Sequence, residues 1–196
     1  MKSINAMHAG EVKVFFGLGG NFLSATPDTT YTAEAIRQCR LTVQVSTKLN
    51  RGHLITGKQA LILPCLGRSE KDRGPKGERF VTVEDSMGVI SASRGVLEPA
   101  SDGLLSEPAI VAGLAKATLG GQGTVNWDAL GADYDLIRDH IARTIPGFEN
   151  FNERIRQNIF YLPNGARMRD FKTDTGKANF IAAPIPQHHL AAGEFL

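Results

Sequence analysis

The chain has 196 residues, 42% hydrophobic and 21% charged, which is the balance of an ordinary soluble domain with enough length to bury a core. Its 22 Lys and Arg against 20 Asp and Glu leave a formal charge of +2, so no basic face of the kind nucleic acid requires is implied. No apolar run reaches the roughly 18 residues of a membrane helix, the start carries no signal-like apolar stretch, and the distant Cys39 and Cys65 make neither a disulfide framework nor a metal motif. Both cysteines read as buried free thiols in a reducing compartment, and the cytoplasm is the expected location.

In chain order, residues 4–9 read as the last turns of a helix. Val12-Lys13-Val14-Phe15-Phe16 reads as a buried parallel strand, followed by the loop Gly17-Leu18-Gly19-Gly20-Asn21. Thr29 to Arg40 has helical spacing, with Thr30 or Thr32 as cap and Glu34 in the first turn. Leu41-Thr42-Val43-Gln44-Val45-Ser46 is rich in β-branched residues and reads as a second strand. Residues 48–59 are expected to hold a short helix, and Ala60-Leu61-Ile62-Leu63 is a third strand ended by Pro64. This alternation predicts an α/β fold: a parallel sheet with flanking helices, Rossmann-like, with small β-hairpins added.

Residues 67–79 are charged and punctuated by Gly and Pro, and read as a long exposed loop that should be mobile. Phe80–Val83 and Val89–Ser93 flank Ser86-Met87-Gly88 as a hairpin. Ser106 caps an expected helix with Pro108 in its first turn, running to Gly120-Gly121. Asp133 to Ile145 and Glu149 to Gln157 are two more helices, and Phe171–Thr173 and Lys177–Phe180 flank Asp174-Thr175-Gly176 as a further hairpin. The expected organisation is one domain over residues 1–170, then a hairpin and tail over 171–196 that lead into a domain outside this chain. Both ends read as cuts in a longer polypeptide.

Two places could carry a ligand. A glycine loop between strand and helix lets backbone approach a phosphate or nucleobase closely, because no Cβ intervenes. The spacing Gly17-x-Gly19-Gly20 is not the dinucleotide fingerprint, and a plain tight turn would look the same. Gln44, Ser46 and Thr47 close strand two, and Glu70 and Asp72 follow strand three. Amide, hydroxyl and carboxylate groups there suit the edge of a purine, while each alone also suits a solvated loop. The five histidines, His8, His53, His140, His188 and His189, have no metal spacing, and Trp127 reads as packing.

Taken in order, Phe15-Phe16-Gly17-Leu18-Gly19-Gly20-Asn21, Leu41 to Thr47, Leu61-Ile62-Leu63-Pro64 and Glu70-Lys71-Asp72 resemble the molybdopterin-guanine-dinucleotide oxidoreductases, and most of all their formate-dehydrogenase-like alpha subunits. Val83-Glu84-Asp85-Ser86-Met87-Gly88 and the stretch from Phe171 to Phe180 extend the resemblance over nearly the whole chain. It implies a cofactor-binding domain holding one guanine dinucleotide, with Gly19, Gly20, Asn21, Gln44, Ser46, Thr47, Glu70 and Asp72 as the matching cofactor-binding positions. It also implies that molybdenum or tungsten and an iron–sulfur cluster are held by segments outside this chain. The chain by itself is then expected to be inactive and metal-free, with the remaining domains of its polypeptide and an electron-transfer subunit as partners, and with neither nucleic acid nor membrane. Two positions depart from the family's pattern: Phe22 stands where proline is frequent, and Ser46 stands where an acidic residue is common. The competing expectations are a free-standing α/β module for another nucleotide or coenzyme, and a structural domain that only docks.

Overall fold

The computed structural model describes residues 1–185 and 192–193. The histidine pair of the tail, His188-His189, lies outside the described residues. Strands β1 (Val14–Leu18), β2 (Leu41–Ser46) and β3 (Gln59–Pro64) form a parallel sheet in the order β1-β2-β3. Val14 pairs with Leu41 and Val43 with Leu61, so side chains in register share a face. On one face, helices α1 (Lys2–His8) and α3 (Thr29–Arg37) bury Ile4, Met7, Ala35, Ile36 and Cys39. On the other, Val43, Val45 and Cys65 pack with Phe16, Leu41 and Ile110. The expected α/β architecture is therefore present: a parallel sheet, flanking helices and antiparallel strand pairs.

Several boundaries move for identifiable reasons. β1 starts at Val14 rather than Val12, because Val12 packs against the α1–α3 cluster while Arg40 and Leu41 both donate to the Lys13 carbonyl to open the ladder. Gly17 thus lies inside the strand, opposite Gln44, and the loop begins at Gly19. The cap of α3 is Asp28, whose carboxylate accepts from the Tyr31 N–H at 2.8 Å, not Thr30 or Thr32. Thr32 is buried and donates back to the Asp28 carbonyl. The expected short helix is a 3-10 turn, Arg51–Leu54, closed by a capping box in which Asn50 accepts from Gly52 and donates its own N–H to His53.

The expected long loop at 67–79 is the largest correction. It contains the hairpin β4 (Asp72–Gly74) and β5 (Gly77–Arg79), turning at Pro75-Lys76. Asp72 and Arg79 are direct partners across it, and their ion pair is largely shielded from solvent. The charge run is thus half turned inward, and the loop is not simply solvated.

Beyond it, β6 (Val81–Glu84) and β7 (Val89–Ser93) make the expected hairpin, and the unanticipated β8 (Phe160–Tyr161) adds to β7. The sheet they form covers a second core of Phe80, Ile90, Phe151, Ile155 and Phe160. Helices α4 (Glu107–Leu119), α6 (Tyr134–Thr144) and α7 (Phe151–Gln157) match the expected ones within two residues at either end. Three short helices, α2 (Phe22–Ala25), α5 (Trp127–Ala132) and α8 (Gly165–Met168), were not expected. The late hairpin does not form. Residues 171–180 hold a turn in which the Thr173 hydroxyl donates to the Lys177 carbonyl at 2.7 Å, and Phe180 is almost fully exposed.

Candidate functional site: a cleft at the strand ends

The carboxyl ends of β1, β2 and β3 open onto a cleft of about 880 Å³. Open α/β sheets bind ligands at this edge, and the volume is in the range of small-molecule sites. Gly19 and Gly20 form one wall, Ser46 and Thr47 the floor, and Gly67 to Glu70 the wall after β3. The far side comes from Leu97, Glu98 and Ala100 and from Glu107 at the start of α4. Lys48 and Arg68 bring positive charge to it.

The glycine wall has an unusual backbone. Gly19 and Gly20 are consecutive left-handed residues, with φ of +63° and +68°. This conformation costs an L side chain roughly 1–2 kcal/mol, which is why two glycines occur together. The Gly19 N–H donates to the Val45 carbonyl at 2.8 Å, which anchors the loop to β2. A Cβ on Gly19 would lie 3.1 Å from the Glu107 carboxylate, whereas at Gly20 it would meet nothing within 4 Å. Phe22 opens the short helix α2 (Phe22–Ala25) and packs on Phe15 at 5.1 Å between ring centres.

Glu70 ties the opposite wall together. One carboxylate oxygen accepts from the Gly67 N–H at 2.7 Å, the other from the Ala100 N–H at 2.8 Å. These backbone donors hold its carboxyl below the usual carboxylate range. Glu70 therefore cross-links two chain segments, 66–70 and 95–100, that also share a parallel bridge between Glu70 and Leu97. A depressed pKa means that the stabilisation is complete above the unfolded-state value, about 4.3, and is lost as pH falls through the lower folded value. The Gly67 and Ala100 amides are expected to lose hydrogen-exchange protection below about pH 4. In Glu70→Gln this acid step should vanish; an unchanged acid step there would assign it to another group.

The sequence-derived residues separate into three groups. Gly19, Gly20, Ser46, Thr47 and Glu70 meet in the cleft. Asn21 and Gln44 lie in a smaller recess of about 20 Å³ between the glycine loop and the 3-10 turn. There the Gln44 amide donates to the Gly52 carbonyl at 3.3 Å. Asp72 is elsewhere: it accepts from Arg79, and from the Tyr134 hydroxyl at 2.5 Å, which itself lies 2.6 Å from the Ser106 hydroxyl. Burial first, and then the bond to Asp72, raise the Tyr134 phenol, so it remains a donor.

Some contributors had no local signal. Asn50 reaches the Gly20 carbonyl at 3.4 Å and couples the 3-10 turn to the glycine loop. Glu98 accepts from Lys71 and Arg73 at 2.8 Å each, bracing the far rim. Cys65 is buried beside the cleft, and burial, reinforced by Glu107 and Glu70, pushes its thiol up and keeps it neutral. Among the described residues no group of three or more His, Cys, Asp or Glu is placed to hold a metal ion, and no helix is long and apolar enough to cross a membrane.

The structure is thus an α/β domain with a cleft at the carboxyl ends of its parallel strands. No family model matches the chain. It is 50% identical over 185 residues to an uncharacterized oxidoreductase of Mycobacterium tuberculosis, covering 93% of this chain and 24% of that protein. An uncharacterized oxidoreductase of Mycobacterium bovis matches to the same extent. Protein YdeP of Escherichia coli is 48% identical over 182 residues, which is 92% of this chain and 24% of that protein. The chain thus spans about a quarter of the length of the curated relatives it matches.

Proposed function

We propose that this chain is the cofactor-holding domain of an oxidoreductase of the molybdopterin-guanine-dinucleotide kind, formate-dehydrogenase-like, and that the cleft seats one guanine dinucleotide. The observation that carries the reading is the convergence of Gly19-Gly20, Ser46-Thr47 and the wall around Glu70 on one cleft at the ends of parallel strands. The oxidoreductase names of the mycobacterial relatives and the ordered segments of the sequence support it.

The residues present suit such a group. The left-handed Gly19-Gly20 backbone leaves room for close approach, Lys48 and Arg68 suit pyrophosphate, and the Ser46 and Thr47 hydroxyls suit the polar edge of a base. When bound, the dinucleotide would supply ligands to a redox-active metal. The residues of this chain bind and orient the dinucleotide, and the metal and any cluster are held by other parts of the polypeptide.

The test compares two variants of the full-length polypeptide. Gly20→Val places a β-branched group at φ +68° on the cleft wall. It should reduce pterin content at least tenfold in protein that remains folded. Ser46→Ala removes a hydroxyl that already donates to the Lys48 carbonyl at 2.8 Å. It should cost about 0.5–1.5 kcal/mol and leave most of the pterin in place. Full pterin content in folded Gly20→Val protein would remove the glycine loop from the site. A different nucleotide extracted from the wild type would favour the free-standing coenzyme module.

A further inference from the structure

The strand β3 is an anomaly in this sheet. All six of its residues are exposed, although Ala60-Leu61-Ile62-Leu63 has the composition of a strand buried on both faces. Leu61 is 50% exposed, Ile62 43% and Leu63 39%. By register, Leu61 and Leu63 lie on the same face as Val43 and Val45, whereas Ala60 and Ile62 lie on the face of Thr42 and Gln44. Both sides of the strand are therefore apolar and uncovered, and among the described residues its outer edge has no neighbour in the sheet. A flat apolar edge left open is a template for unwanted pairing, which folded proteins suppress with charge, Pro or cover. Within β3 only the terminal Gln59 and Pro64 depart from the apolar run, and no charged residue interrupts it.

We infer that the free edge of β3 hydrogen-bonds to a further strand from the part of the longer polypeptide outside residues 1–196, and that apolar elements of that same polypeptide cover both of its faces. The matched relatives are long enough to supply both, because the chain accounts for only 24% of their length. A second copy of this chain fits less well. Two-fold pairing of β3 with itself would fill the edge and still leave Leu61, Leu63, Ala60 and Ile62 without a covering layer.

Hydrogen exchange at single-amide resolution on the full-length polypeptide tests this, with light scattering recording its mass. The amides of Ala60, Leu61, Ile62 and Leu63 should all exchange at least roughly 100-fold slower than the free-chain rate, including those that β2 does not bond. Alternate amides exchanging near the free rate in folded full-length protein would overturn the inference. So would protection that appears only in a dimer and disappears on dilution to the monomer, which would identify a second copy as the occupant.

Discussion

Gly95→Ala is expected to destabilise the domain by about 3 kcal/mol, the upper end for adding a single carbon. A Cβ on Gly95 would sit 1.8 Å from the Glu70 carbonyl oxygen, 2.1 Å from its carbon and 2.7 Å from the Lys71 nitrogen. All three are backbone atoms, so no side-chain rotation relieves the overlap. The two segments are also tied there: Val96 and Leu97 donate to the Ser69 carbonyl at 2.9 Å each, and Lys71 donates to the Leu97 carbonyl at 2.8 Å. Accommodating the methyl means parting this seam and, with it, the Ala100–Glu70 bond that closes the cleft wall. Urea unfolding measures the loss. Gly113→Ala is the control: it lies within α4, a Cβ there meets nothing within 4 Å, and the change should stabilise by about 0.5–1 kcal/mol. Equal stability of the two variants would show that the seam is looser than its geometry indicates.

Asp72→Ala should cost about as much for a different reason. The Arg79 side chain is only 15% exposed, and Asp72 is its counter-charge. Removing the carboxylate leaves a shielded cation with only the Gly131 carbonyl, at 2.6 Å, and the Tyr134 ring face. It also removes the acceptor of the Tyr134 hydroxyl. Breaking such a pair from one side costs roughly 3–5 kcal/mol when fully buried, and the partial exposure here places the value near the lower bound. Asp72→Asn keeps an acceptor and should lose about half as much. Because Asp72 stands away from the cleft, the proposed dinucleotide site predicts that the folded fraction of either variant holds as much pterin as the wild type. Loss of pterin without loss of stability would place Asp72 in the proposed site.

The sheet was legible because its cues are local. The run Leu41–Ser46 is apolar on alternate positions, with Thr42, Val43 and Val45 β-branched, and forms β2 with those bounds, and Ala60–Leu63 with Pro64 gives β3 to within one residue. The glycine loop was legible as a place of close approach, though not its start, which depends on which residues of β1 the ladder accepts. The far wall was hidden. Glu70 meets Ala100, Gly19 approaches Glu107, and Asp72 meets Tyr134, and each contact joins segments that no local pattern links. Asp72 illustrates the difficulty: in sequence it is one more charge beside Glu70, and only the pairing across Pro75-Lys76 reveals that it faces Arg79. The late stretch from Phe171 to Phe180 had alternation and a turn but nothing to pair against, and an isolated two-stranded ribbon is marginal at best.

The strand order β1-β2-β3 is also the order in which the residues leave the ribosome. Each strand therefore finds its neighbour already synthesised, and no strand has to be inserted between two earlier ones. The partners lie 27 residues apart across β1 and β2 and 18 apart across β2 and β3, and parallel pairing over such separations is slow beside helix formation. The seam at Gly95 and the cap at Ser106 emerge later, so the glycine loop and the ends of the strands are laid down before the wall that completes the cleft. The nascent chain thus exposes an open shelf first and a pocket second, which sets the earliest point in synthesis at which a ligand can be enclosed.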